Sequence, residues 1–170
     1  AARGTIDAAY AAGVRYFDTA PRYGYGLSER RFGDALRRHP RQDFVLSSKV
    51  GVLLRPRTGA ANRGDMFVDP LPFAQRYDYS YDGVMRSFED SLQRLGLARI
   101  DMLLVHNLDA QVHGEEALPG LFRTAMAGAH KALDALRSGG AIAAFGLGVN
   151  RWEVCAAALE EGDFDCFLLG

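Results

Sequence analysis

Asp18, Tyr23, Lys49 and His106 are the side chains of this 170-residue chain whose types and placement suit proton transfer to a carbonyl oxygen. A phenol, with an ordinary pKa near 10, is a poor acid at neutral pH unless a neighbouring cation favours its phenolate. Lys49 would supply that cation, Asp18 would keep it charged and in place, and His106 would orient and polarise the oxygen. Tyr23 would then give its proton to the oxygen as hydride reaches the carbon, or take the proton back in the reverse oxidation. No side chain supplies hydride, so the chemistry calls for a nicotinamide cofactor.

Taken singly, most of these residues have ordinary readings. Asp18, before Thr19-Ala20-Pro21, suits an Asx turn. His106 suits a hydrogen-bonded packing position, Asn150 a helix N-cap, and Tyr23 a packing aromatic in the turn Arg22-Tyr23-Gly24-Tyr25-Gly26. Lys49 is harder to set aside. It lies in Val45-Leu46-Ser47-Ser48-Lys49-Val50, where an unpaired ammonium carries a large desolvation penalty. Only two of the chain's 20 basic residues are Lys, Lys49 and Lys131, so a Lys here suggests a task that Arg does not perform.

Five short apolar runs alternate with stretches of helical period, the pattern of βα units around a parallel sheet. The strands are expected at Val14–Phe17, Phe44–Ser48, Ile100–Val105, Ile142–Val149 and Phe164–Leu169. Helices are expected at Thr5–Ala12, Ser28–Arg38, Tyr81–Leu95, Leu118–Ser138 and Arg151–Glu161, with Ser28 and Asn150 in N-cap positions and Gly96 and Gly139-Gly140 as stops. Asp18, Lys49, His106 and Asn150 then all fall at strand carboxyl ends, the side where parallel α/β folds build their sites, and Tyr23 reaches the same rim. Gly51–Ser80 has neither period; its Met66, Phe67, Phe73, Tyr77 and Tyr79 give it apolar anchors and suggest a cover over a site.

The formal charge of −1 gives no attraction to nucleic acid or acidic membrane, and 48% hydrophobic residues mark a packed domain. Cys155 and Cys166 form neither a disulfide framework nor a C-x-x-C pair, and the chain opens without a signal peptide or membrane span, so a cytoplasmic setting is expected. His106, Asp109 and His113 match no metal-binding spacing, and Gly146-Leu147-Gly148 lacks the third glycine of a dinucleotide fingerprint.

The segment Gly13–Glu29, with Phe17-Asp18-Thr19-Ala20-Pro21-Arg22-Tyr23-Gly24, together with Ser48-Lys49-Val50-Gly51 and Ser91-Leu92-Gln93-Arg94-Leu95-Gly96-Leu97 followed by Ile100-Asp101 and His106, resembles the aldo-keto reductases. The resemblance implies a (β/α)8 TIM barrel and an NAD(P)-dependent oxidoreductase acting on an aldose or similar small polar substrate. It carries the family's catalytic tetrad onto Asp18, Tyr23, Lys49 and His106, and its nicotinamide contact onto Asn150, with Asp18 beside it. Many members prefer NADP over NAD. Residues 77–87 and the loop before them are similar to a branch that oxidises sugars at the anomeric carbon or a pyridine alcohol. Family members often have His-Asp where this chain has His106-Asn107.

A complete barrel of this kind takes about 250 residues. The chain opens without Met and ends inside an apolar run, so about five of eight βα units are expected, within a single partial-barrel domain spanning 1–170. The resemblance puts one strand before Thr5–Ala12 and two after Leu169, and puts most pyrophosphate and adenosine contacts in the later loops. A non-catalytic or degenerate barrel fragment is the alternative reading.

Overall fold

In the computed structural model of the chain, residues 2–58 and 66–170 are described. Five parallel strands form one curled sheet: β1 (Tyr16–Asp18), β2 (Val45–Val50), β5 (Met102–His106), β6 (Ala144–Val149) and β7 (Cys166–Leu169), in that spatial order. In the chain, β2 and β5 are separated by an antiparallel hairpin that forms a sheet of its own, β3 (Val52–Pro56) and β4 (Phe73–Tyr77). Helices α1 (Ala2–Ala11), α2 (Leu27–Leu36), α3 (Tyr81–Leu95), α4 (Ala110–His113), α5 (Leu118–Thr124), α6 (Lys131–Ser138) and α7 (Trp152–Glu161) complete the chain.

The two faces of the sheet follow from the alternation of side chains along a strand. Phe17, Leu46, Leu103, Val105, Phe145, Leu147 and Val149 point to the helix side, where they pack with Leu36, Phe88, Leu95, Ala132, Leu133 and Ala158 into one buried core. The alternate residues line the concave side. There Tyr16, Val45, Met102, Leu104, Cys166 and Leu168 border an apolar groove of about 410 Å³, and Asp18, Lys49 and His106 continue the same inward rows at the carboxyl ends of β1, β2 and β5. No helix among the described residues is long and apolar enough to cross a membrane.

Several local expectations change. The stretch 51–80 is not without period: it contains the β3–β4 hairpin, paired from Val52–Tyr77 to Pro56–Phe73, while its residues 59–65 lie outside the described ones. Helix α2 starts one residue before Ser28. Its N-cap is Gly26, with φ 94°, and the Ser28 hydroxyl turns instead to Thr19 Oγ1 at 2.8 Å. Arg151, not Asn150, caps α7.

The helix expected over Leu118–Ser138 is interrupted by a widened, π-type turn at Ala125–His130. A Cβ on Gly128 would stand 2.7 Å from the Tyr81 backbone nitrogen, so the chain passes the start of α3 at backbone distance. Gly96, with φ 62°, ends α3 as expected.

Candidate active site

The carboxyl rim of the sheet brings together the residues that the sequence singles out. Lys49 is 98% buried and donates from Nζ to Asp18 Oδ2 at 2.5 Å and to the Thr19 carbonyl at 3.1 Å. Ser47 Oγ donates to Asp18 Oδ1, so the carboxylate is held from both sides. The Lys49 ammonium stands 5.1 Å from the centre of the Tyr23 ring, and that ring meets His106 edge to face at 5.7 Å between centres. A small cleft of about 80 Å³ is bordered by Tyr23, Lys49, His106, Asn107, Gly148 and Asn150.

His106 is held neutral. Its pKa falls to about 3 because burial, and then the positive charges of Lys49 and Arg22, oppose protonation. Its Nδ1 is buried with no hydrogen-bond partner. Its backbone carbonyl accepts from the Tyr79 hydroxyl at 2.7 Å, and that hydroxyl also lies 2.9 Å from His113 Nε2. Burial drives the Tyr79 phenol well above its ordinary pKa, and so this tyrosine stays protonated as a strut under His106.

The loop that carries Tyr23 is tightly built. Gly24, Tyr25 and Gly26 are all left-handed, with φ 60°, 53° and 94°; the conformation suits glycine and is unusual for Tyr25. A Cβ on Gly26 would lie 2.9 Å from Arg94 Cδ. The fully buried Glu29, in the first turn of α2, accepts from Ser48 Oγ at 2.7 Å and from Arg94 Nε at 2.5 Å. Arg94 Nη2 in turn donates to Ser91 Oγ at 3.0 Å. The turn bearing Tyr23 is thereby tied to the strand bearing Lys49 and to α3.

Asn150 stands at the exposed edge of the cleft. Its backbone N and its Nδ2 both donate to Oδ2 of the buried Asp109, at 3.1 and 3.2 Å, and its Oδ1 is left to accept. Asp109 also accepts from the Val112 amide as the N-cap of α4.

Sequence reasoning did not find Glu29, Arg94 or Asp109 as site supports, because their partners are distant in the chain. The role of Gly148 was also missed. A Cβ there would lie 3.2 Å from Lys49 Cε, so this glycine makes room for the lysine.

The aldo/keto reductase family model matches residues 1–168. The chain belongs to the aldo/keto reductase family. Among this family's curated members, pyridoxal 4-dehydrogenase of Microbacterium luteolum is 43% identical over 173 residues, covering 96% of this chain and 50% of that protein. D-threo-aldose 1-dehydrogenase of a Pseudomonas species is 37% identical over 168 residues, covering 96% and 48%. The chain thus spans about half the length of these aldo/keto reductases.

Solved aldo/keto reductases share the fold. Glycerol dehydrogenase of Gluconobacter oxydans superposes with a TM-score of 0.68 at 25% identity, covering 98% of this chain and 43% of that one. The holo form of an aldo-keto reductase from Bacillus halodurans gives 0.70 at 24% identity, covering 98% and 47%. The curled five-stranded sheet is an incomplete TIM barrel of this type.

Proposed function

We propose that this chain is the catalytic segment, a single partial-barrel domain, of an NAD(P)-dependent oxidoreductase that interconverts a carbonyl and an alcohol. The observation that carries the reading is the unbroken series from Asp18 through Lys49 and Tyr23 to His106 around one cleft. The names of the two curated relatives support a small polar substrate such as an aldose or a pyridine carbonyl. The two unpaired cysteines agree with a reduced, cytoplasmic setting.

The residues at the cleft fit the nicotinamide end of the cofactor: Asn150 gives its backbone N–H and one side-chain N–H to Asp109, and its amide oxygen can accept from a carboxamide N–H. When bound, the cofactor supplies or accepts the hydride. Asp18 keeps Lys49 charged and fixed. Lys49 places positive charge beside the Tyr23 ring, which favours proton loss from the phenol. Tyr23 hands its proton to the substrate oxygen in reduction and recovers it in oxidation.

His106 serves as a neutral donor. A buried N–H without an acceptor is rarer and costlier than a buried lone pair, so its proton belongs on Nε2 rather than on the orphaned Nδ1. It then orients the oxygen that Tyr23 protonates.

Replacing Tyr23 by Phe removes the transferable proton and keeps the ring. Carbonyl reduction is expected to fall by about 10²–10⁴-fold; an unchanged rate overturns Tyr23 as the proton donor. The second reading is a non-catalytic or degenerate barrel segment. Titration with NADPH tests it: saturable binding counts against the non-catalytic segment.

A further inference from the structure

On the carbonyl–alcohol reading, the substrate's second polar group remains to be matched, and Arg22 is a cation placed for it. The charge of Lys49 is met by Asp18. Arg22 directly precedes Tyr23, yet among the described residues its only hydrogen-bond partner is neutral: Nε donates to Gln75 Oε1 at 3.0 Å. Its guanidinium carbon lies 5.8 Å from the centre of the Phe67 ring, a loose stacking contact on one side.

The hairpin fixes where this cation sits. Gln75 and Tyr77 are two apart on β4 and so share a face, about 7 Å from one another. Gln75 grips Arg22, next to Tyr23, while the Tyr77 hydroxyl accepts from Asn107 Nδ2 at 3.2 Å, next to His106. One face of one strand therefore holds the chain neighbour of each of the cleft's two aromatic walls. That the Arg22 charge contributes to keeping His106 neutral agrees with a guanidinium close above the cleft.

With Nε engaged by Gln75, the free edge of the guanidinium is the Nη1/Nη2 pair, two parallel donors that match a carboxylate better than a hydroxyl. We propose that Arg22 anchors a carboxylate carried by the substrate beyond its reacting carbonyl, and that Gln75 is the positioning residue that sets the guanidinium plane. A neutral polyol offers no counter-charge to this half-buried cation and gains less from it.

The test pairs a binding readout with a turnover readout. Benzoate and its neutral isostere benzamide are titrated calorimetrically against the full chain and the Arg22→Gln, Arg22→Lys and Gln75→Leu variants, with thermal unfolding to verify folding. Benzoate is expected to saturate and to bind at least about 10-fold more tightly than benzamide. Arg22→Gln is expected to erase that difference, Arg22→Lys to restore part of it as a point charge, and Gln75→Leu to weaken benzoate by a few-fold. Absence of benzoate binding, or benzoate binding indifferent to Arg22→Gln, overturns the proposal; if Arg22→Gln fails to fold, benzoate binding that is as tight in Arg22→Lys overturns it.

In turnover with NADPH by the full-length protein that carries this segment, the kcat/KM ratio of 4-carboxybenzaldehyde to its methyl ester is expected to exceed about 10 and to drop to near 1 in Arg22→Gln. A ratio near 1 in the unaltered chain rejects the carboxylate anchor and leaves hydride transfer standing. No turnover of either aldehyde, with Arg22-dependent benzoate binding retained, rejects the oxidoreductase reading and leaves the anchor.

Discussion

Two buried ion pairs meet on adjacent residues of β2 and serve opposite ends. Lys49 faces the concave side and pairs with Asp18, whose side chain keeps 24% of its surface exposed at the cleft. Ser48 faces the helices and hydrogen-bonds Glu29, which pairs with Arg94 and is fully sealed. The open pair keeps its acid in touch with water and its base against Tyr23, so its charges stay available to a reacting molecule. In the sealed pair the acid has no such access, and its arginine keeps only 12% of its side chain exposed. It joins α2, α3 and β2, and through α2 it fixes the turn on which Tyr23 stands.

The two pairs are expected to fail differently. Lys49→Met should lower the rate of carbonyl reduction by about 10²–10⁴-fold, the range of a lost acid–base partner. Its stability cost should stay below that of the sealed pair, because Asp18 can rehydrate and keeps its bond from Ser47. Steady-state kinetics beside urea unfolding measures both, and a stability loss equal to that of the sealed pair would erase the distinction.

Glu29→Gln leaves Arg94 charged and poorly matched in a dry layer, and unfolding free energy should fall by about 3–5 kcal/mol. Replacing both residues with apolar side chains of similar volume should recover most of that loss. Should the double variant be no better than the single one, the pair contributes something besides its own charge balance.

The effect that is smallest at neutral pH concerns His106. Its folded pKa of about 3 lies below the ordinary 6.5, so the unfolded chain takes up a proton that the folded one refuses. From pH 6.5 down to about 3, stability should therefore fall by about 1.4 kcal/mol per pH unit from this residue alone. His106→Gln should flatten that part of the stability curve. Above pH 6.5 the two proteins should run parallel.

The inner row of β2 was readable in the sequence because it contradicts its surroundings: a lysine at the end of an apolar run demands a partner, and Asp18 closes the neighbouring run. The outer row was not. Ser48 and Glu29 look like an ordinary strand polar residue and a first-turn acid, and the arginine that seals them comes 65 positions after Glu29. The hairpin was hidden for a related reason. Phe73, Gln75 and Tyr77 share its inward face, and the polar Gln75, which faces Arg22, breaks the apolar alternation by which a strand is recognised. Its two strands also stand too far apart for any turn signal to join them. Helix α3, with a clean apolar stripe and a glycine stop, matches its expected span Tyr81–Leu95 to the residue.

The widened turn at Ala125–His130 acts on helical phase. Each residue of an α-helix advances the side-chain direction by about 100°, and one residue of slack rotates everything downstream by that angle. The turn lets Gly128 keep its close approach to the start of α3 while Ala132, Leu133 and Leu136 point into the core. It works as a phase shifter, so the two halves of this long segment can each follow the timing of a different neighbour.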